Sequence, residues 1–449
     1  MERTGNGKAF KTCFIVMTLS LVILISLGVF HGAKRSKSQT LFLPPPVVEE
    51  FINWPKDRPK VARHSVISEF ESSISQPNVP DEPPWPKPLP PSKTNNRYIL
   101  YECASNMACG GWSNRLYGIV ALYILAIMYD RSIVVKMDRP CDIRQFLDPR
   151  DIHWNVTIPN KNWSKTSLSG IYGHKISLSR LQDLERKLTN KDITVARVNI
   201  AQLGYIHLFA TVKHFKNKLL EKGFTERQLQ HLTLLHFPLK YQVYDLLFKL
   251  KPYLQERKDN YLKTFDKKPL ICAHVRTGGG KTIPGDSARG RMFGTKTLWA
   301  FLQEKLLFDK FKDAKVFLAT DNDAVREEFK KTFGHVGTEI SGNIVHIDRW
   351  GSQKRTIHDK AAACHGMDKV LLDFEIMSEC DLLVITWRSG FSTMPALRNR
   401  HRNELYVWRC EKNSCWVEPM YRFQDESRRE FSEAINRQPY VNCKDIFKC

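Results

Sequence analysis

The residues with the most chemical promise sit at the end of a short apolar run, Pro269 to Arg276 (PLICAHVR), which delivers His274 and Arg276 and opens into Thr277-Gly278-Gly279-Gly280-Lys281-Thr282. A buried strand that hands an arginine to a glycine-rich turn is how open α/β sheets build anion sites. The planar guanidinium matches phosphate oxygens two at a time, so the expected ligand is phosphorylated, a nucleotide in the first instance. Two later runs also end in chemistry. Lys315 to Asp321 (KVFLATD) finishes on an acid, and Cys380 to Ser392 (CDLLVITWRSGFS) finishes on Ser389-Gly390, where a helix can begin. The GGGKT run is not a Walker A loop, because that pattern needs glycine at position 275 and the chain has Val275.

In this order and spacing, HVRT, ATDND and LDFEIMSECDLLVITWRSGFS resemble the three motifs of the α1,2/α1,6/protein-O-fucosyltransferase superfamily, nearest to its α1,6 branch. The likeness spans residues 98 to 410, thinly in the first half, where Gly110-Gly111-Trp112-Ser113-Asn114-Arg115 is similar to the segment that opens the first lobe. The resemblance implies an α/β fold of the GT-B kind, two Rossmann-like lobes facing across a cleft. It also implies inverting transfer of L-fucose from GDP-fucose, the donor substrate, to a glycan or glycoprotein acceptor, with no obligatory cofactor. It assigns His274, Arg276, Asp321, Asp373, Ser389, Gly390, Phe391 and Ser392 to the donor site. Within that set Asp373 accepts the adjacent N1–H and N2–H donors of guanine. Arg276 and Ser389, with the amides of Gly390 and Phe391, stabilise charge developing on the leaving diphosphate.

The pattern departs from the branch at the general base. There a glutamate ten residues after the motif histidine takes the acceptor proton, helped by a lysine; counting from His274 reaches Pro284. Asp286 and Lys281 are the substitutes at hand, and the acceptor and linkage stay open. Asp321-Asn322-Asp323 is formally a DxD metal pattern. Asp321 nevertheless matches the second motif, in which no metal is required, and Asp323 reads as a helix cap. Two alternatives remain: a lumenal sulfotransferase, which lacks its sulfate-donor phosphate loop here, and a catalytically silent protein that binds glycan or GDP-sugar on the same fold.

The elements that must position these residues follow from periodicity. Tyr98–Tyr101 reads as a strand, a helix capped by Ser113 runs through Asp130, and 132–137 is the next strand, a βαβ opening. From residue 269 the alternation repeats: strands at 269–275, 315–320, 344–347, 381–386 and 404–408, with helices at 295–308, 323–333, within 356–379 and from Phe391. Arg115 is expected either in the cleft or in a structural salt bridge.

Cys13 to Phe30 is an uncharged apolar run of eighteen residues, at the lower limit for a membrane span. A cleaved signal peptide is the alternative. Asn155-Val-Thr157 and Asn162-Trp-Ser164 are glycosylation acceptors, and ten of the 11 cysteines follow the apolar run, which suits an oxidising lumen. The resulting plan is a cytoplasmic tail (1–12), a signal-anchor helix (13–30), a stem (31–97), an acceptor-side lobe (98–265) and a donor lobe with a cysteine-containing tail (266–449). The stretch from His31 to Asn96 holds thirteen of the 23 prolines, as a semi-rigid spacer would. Golgi residence as a single-pass type II protein is the implied address. The net charge of +22 suits anionic sugar nucleotides or acidic glycans; no zinc spacing or nucleic-acid-binding pattern accompanies it, so nucleic acid is not an expected partner. Cys103/Cys109, Cys410/Cys415 and Cys443/Cys449 are near enough in sequence to pair, Cys141 is placed to tie a loop, and Cys272 reads as a buried free thiol.

Overall fold

Continuous apolar runs alternating with helical segments predict parallel strands covered on both faces, and two such sheets form. The computed structural model describes residues 84–94, 96–104, 109–157, 163–167, 178–190, 195–199, 204–232, 239–280, 294–347, 360–399, 404–411 and 414–420. The apolar run at 13–30 and the Cys443/Cys449 pair lie outside the described residues. Among the described residues no helix is long and apolar enough to cross a membrane.

The first sheet is built from β1 (Tyr98–Cys103), β2 (Ser132–Met137), β4 (Trp163–Ser167) and β5 (Val195–Asn199), all parallel in the order β2-β1-β5-β4. Helix α1 (Trp112–Met128) crosses from β1 to β2, and α2 (Leu178–Thr189) from β4 to β5. Helices α3 (Gly204–Thr211), α4 (Lys213–Glu221), α5 (Glu226–Leu232), α6 (Leu239–Leu247) and α7 (Pro252–Lys263) follow, and a small ladder pairs β3 (Leu147–Pro149) with β6 (Phe248–Leu250). Of α1's 17 residues only Asn114 is not buried, so this helix is a central element rather than the one-faced helix its spacing suggested. Truncating Leu122 or Ile124, both fully buried, costs about 2–5 kcal/mol. Ser113 does not cap it; Gly111 is the N-cap residue and Ser113 sits inside the first turn.

The second sheet has the order β12-β11-β10-β7-β8-β9, from β7 (Leu270–Val275), β8 (Lys315–Thr320), β9 (Gly337–Thr338), β10 (Leu382–Thr386), β11 (Leu405–Glu411) and β12 (Ser414–Pro419). All neighbours are parallel except the β11–β12 hairpin. Helices α8 (Thr295–Leu306), α9 (Asp323–Phe333), α10 (Lys360–His365), α11 (Met367–Met377) and α12 (Gly390–Arg398) accompany it. The chain leaves β7 toward β8 and β9, then returns to β7's other side as β10. That reversal opens a crevice at the C-terminal ends of β7 and β10, the place where open α/β sheets take ligands. The strand expected at 344–347 is absent. Ile344 and Ile347 are apolar because they are buried beside the cleft, and two-residue β9 forms the sheet edge instead.

Two further corrections concern the proline-rich stretch and Cys272, while the other described cysteines pair as expected. The last part of the proline-rich stretch is no free stem. Trp85 packs edge-on against Phe224 at 5.9 Å, Tyr123 donates to the Pro86 carbonyl and Ser132 to that of Leu89, so this end of the stretch is packed on the folded unit. Cys272 of β7 is not a free thiol but is bonded to Cys380, in the turn between α11 and β10. Cys141 is bonded to Cys364 of α10, 223 residues away, which ties the first sheet's loop to the second sheet's helices; Cys103–Cys109 and Cys410–Cys415 close locally.

Candidate active site

Strand β7 carries His274 and Arg276 to the crevice, and its two neighbours fasten its end. The Thr386 hydroxyl on β10 donates to the His274 carbonyl at 2.6 Å and accepts from the Arg276 amide at 2.9 Å. On the other side the Thr320 hydroxyl on β8 donates to the Val275 carbonyl at 2.9 Å. Gly278 and Gly279 then both take left-handed backbone angles, φ 63° and 66°, which explains the glycines. Asp321 clamps this turn: its two oxygens accept from the amides of Thr277 (3.0 Å) and Gly278 (2.9 Å), and one meets Arg276 Nη1 at 2.8 Å. Asn322 completes the clamp, donating to Thr277 Oγ1 and the Gly278 carbonyl while its own oxygen caps α9. Asn322, not Asp323, is therefore the cap. The first amides of the glycine turn are consumed by Asp321, so this loop is no phosphate cradle of the Walker type.

The cleft has a volume of about 570 Å³ and is walled by both sheets' elements: Gly110 to Asn114 and Arg139 on one side, and β7, β8, 343–347, α11 and the start of α12 on the other. His274 is buried, and its Nδ1 has no hydrogen-bond partner among the described residues. Burial, assisted by the Arg276 charge, pushes its imidazole down to about 3, so it is neutral near pH 7. A buried neutral nitrogen at a cleft wall needs a partner, and a ligand can be one. The ring leans on Phe391 at 5.5 Å.

Helix α12 points its first turn at the same space. Its N-cap, Ser389, makes no side-chain capping bond, leaving the first amides for a ligand. The preceding turn closes with the Ser389 amide on the Thr386 carbonyl at 3.1 Å, and holds Arg388 at φ 58°, a left-handed conformation that costs a non-glycine residue about 1 kcal/mol. Only glycine fits at 390, since a Cβ there would lie 2.1 Å from Ser113 Oγ of α1. On α11, Asp373 faces the cleft and is held by Lys369, whose Nζ lies 3.2 and 3.1 Å from its two oxygens. Burial raises this carboxyl to about 6 even though the Lys369 charge opposes the shift.

Against these positions the sequence-derived set divides. His274, Arg276, Asp321, Asp373, Ser389, Gly390 and Phe391 line one cleft. Ser392 does not; it is fully buried and its hydroxyl turns back to the Ser389 carbonyl. Lys281 and Asp286 lie outside the described residues. Arg115 does not line the cleft. It is buried, and donates to the carbonyls of Gly110, Arg139 and Ile347, fixing both cleft walls from behind.

No protein-family model matches the sequence, and no curated protein is significantly similar to it. Solved structures are. A mutant of Arabidopsis thaliana FUT1 in complex with GDP matches at 13% identity and a TM-score of 0.45, covering 73% of this chain and 76% of that one. NodZ alpha-1,6-fucosyltransferase soaked with GDP-fucose matches at 10% identity and a TM-score of 0.42, covering 72% and 99%. The same fucosyltransferase is described from Bradyrhizobium. POFUT1 in complex with GDP matches at 13% identity and a TM-score of 0.38, covering 70% and 98%.

Sequence reasoning missed Lys369, Arg139, Asn114 and the 343–347 segment, all of which line the cleft. Lys369 had a signal: Lys and Asp at i and i+4 of a predicted helix share one face. Asn114 also had one, as part of the Gly110–Arg115 motif; Arg139 and 343–347 had none, because only tertiary packing brings them to the cleft.

Proposed function

We propose that the protein is a glycosyltransferase of the GT-B architecture that transfers L-fucose, with inversion, from GDP-fucose to a glycan or glycoprotein hydroxyl. One observation carries the reading. Arg276, an unpartnered buried His274 nitrogen, the uncapped start of α12 and the buried carboxylate of Asp373 all converge on one cleft. A nucleoside diphosphate offers a complement to this set. Its phosphates suit the guanidinium and helix amides, and guanine offers two adjacent N–H donors to a carboxylate.

In the step itself an acceptor oxygen bonds to the sugar's anomeric carbon as the carbon–oxygen bond to the diphosphate breaks, and GDP leaves with the bonding pair. Arg276 and the amides of Gly390 and Phe391 neutralise the charge that develops on it. Neither Arg276 nor Asp321 is asked to hold a metal, and the reaction is proposed to proceed without one. A base on the 281–293 segment, Asp286 with Lys281, receives the acceptor proton. Four disulfides and an exposed Asn155 in an Asn-Val-Thr sequon support a lumenal, oxidising address, and the apolar run at 13–30 supports a type II anchor in the Golgi.

The test is release of GDP from GDP-fucose by the full-length chain, with EDTA present, over a panel of glycan and glycopeptide acceptors. Acceptor-dependent release that is lost in Arg276→Ala supports the reading and discloses the acceptor. GDP binding with no transfer to any acceptor points to a silent binding protein, and no binding of GDP at all refutes the assignment.

A further inference from the structure

Helix α11 holds a lysine for which the donor reaction gives no task. Lys369 is buried, and all of its polar contacts are within the protein: its Nζ donates to the Ile340 carbonyl at 2.9 Å and lies 3.2 and 3.1 Å from the two Asp373 oxygens. The main-chain contact pins the ammonium in place, and the contact with both oxygens fixes the plane of the carboxylate. A carboxylate has about four lone-pair sites. Lys369 occupies at most two, so acceptor capacity remains toward the cleft that both residues line.

We propose that Lys369 is a positioning residue for the nucleotide base: it keeps the buried Asp373 ionised and oriented, so that the carboxylate can accept both N–H donors of guanine. This rests on the proposed GDP-fucose reading. Without such a partner, a carboxyl this deeply buried would protonate near neutral pH, become a donor on one oxygen, and reject guanine. The other groups acting on Asp373 are few. Glu339 opposes its ionisation and Arg326 favours it, but these two pair with each other at 2.8 Å, and Tyr261 of α7 is engaged with Thr338. His274, Arg276 and His346 share the cleft from its other walls.

The experiment is the pH profile of GDP affinity for the full-length chain, by calorimetry, for wild type, Lys369→Met, Lys369→Gln, Lys369→Arg and Asp373→Asn. In wild type, affinity is expected to be level above about pH 7 and to fall roughly tenfold per unit below about pH 6, as one proton competes with the base. In Lys369→Met the fall should begin about two units higher, giving a roughly tenfold loss near pH 7 that has largely recovered near pH 8.5. Arginine should restore the wild-type midpoint, and Asp373→Asn should bind weakly with no such titration. Glutamine keeps a donor for Ile340 without the charge, so it separates charge from packing if methionine disturbs the fold. An unchanged midpoint in the methionine or glutamine variant, whatever its affinity, overturns the positioning role. Absence of GDP binding by wild type at every pH instead defeats the donor reading on which it rests.

Discussion

Asp321 is where a structural and a metal-binding role make opposite forecasts. Its carboxylate accepts from two successive amides and from Arg276, at 3.0, 2.9 and 2.8 Å, and its side chain is about one-tenth exposed (10%). In Asp321→Asn one oxygen remains for one amide, while the new NH2 group confronts the other, leaving a donor facing a donor. An unsatisfied buried amide costs about 1–3 kcal/mol and a lost charge-assisted bond about 1.5–3 kcal/mol, so the variant should lose about 3–5 kcal/mol. At about 2.1 cal/mol/K of unfolding entropy per residue, a chain of this size shifts about 1–2 °C per kcal/mol, so the thermal midpoint should fall by about 5 °C. Arg276 also loses the anchor that aims it, and a displacement of about 1 Å at a reacting centre can cost roughly 100-fold in rate. The assay pairs calorimetric melting with the rate of GDP release, each with and without EDTA and added Mn²⁺. If Asp321→Asn melts with wild type and loses only a metal-dependent part of the rate, Asp321 is a metal ligand and the clamp argument is wrong.

Three other perturbations test the surroundings. Gly390→Ala places a methyl 2.1 Å from Ser113 Oγ and 2.9 Å from Tyr117 Oη, so it should cost about 1–3 kcal/mol and weaken GDP binding; Ser113→Gly in the same chain should restore part of the melting temperature. Glu375 of α11 accepts from Tyr244 at 2.6 Å and pairs with Arg398 of α12 at 2.7 Å. Glu375→Gln takes one carboxylate away from Arg398 and Lys258, which keep Asp245 at 2.9 Å and Glu379 at 2.7 Å, and urea unfolding should show a loss of about 1.5–3 kcal/mol. The pH dependence of stability contains two opposed slopes. His274, held at about 3, stays neutral while the unfolded chain takes up a proton below about pH 6.5, so its contribution falls by about 1.4 kcal/mol per unit of acidification. Asp373, raised to about 6, binds its proton more tightly in the native state, so between about pH 6 and 4 its contribution rises as pH falls. Asp373→Asn removes the second slope, and relative to wild type it should lose about 2 kcal/mol between pH 6 and 4 in urea melts. Parallel curves for the two proteins would contradict the assignment.

What could be read from the chain was local. His274 and Arg276 lie on a strand end, Gly278 and Gly279 in a turn that only glycine tolerates, and Ser389-Gly390 at a helix start. In each, the backbone conformation is set within a few residues, and the residue type follows from it. The parallel sheets were legible for the same reason, since an alternation of apolar runs and helical segments admits few topologies. Errors arose where burial came from distant chain. α1 is buried on every side because α3, α4 and α6, with α12 of the second sheet, cover the face that a lone βαβ unit would expose. The Trp85–Thr94 segment is proline-rich and yet ordered, because Phe224, Tyr123 and Ser132 supply partners that composition cannot reveal.

The same distinction explains why the arginine of the first motif was legible and its control was not. A strand-end arginine beside glycines announces an anion site, but whether its charge is available depends on what stands opposite. Asp321 stands there, 45 residues later in sequence and one strand away in space, because β8 is β7's parallel neighbour in register: Val275 pairs with Thr320, which puts the next residues, Arg276 and Asp321, side by side. A pairing register of this kind is fixed by the sheet's buried faces, not by the residues at its rim. Arg276 therefore reaches the cleft already oriented and already partly neutralised, and its attraction for a diphosphate comes in concert with the amides of α12. Removing those amides' exposure should then weaken donor binding even with Arg276 intact, which is why the Gly390 position, with no side chain of its own, is as informative about the chemistry as the arginine.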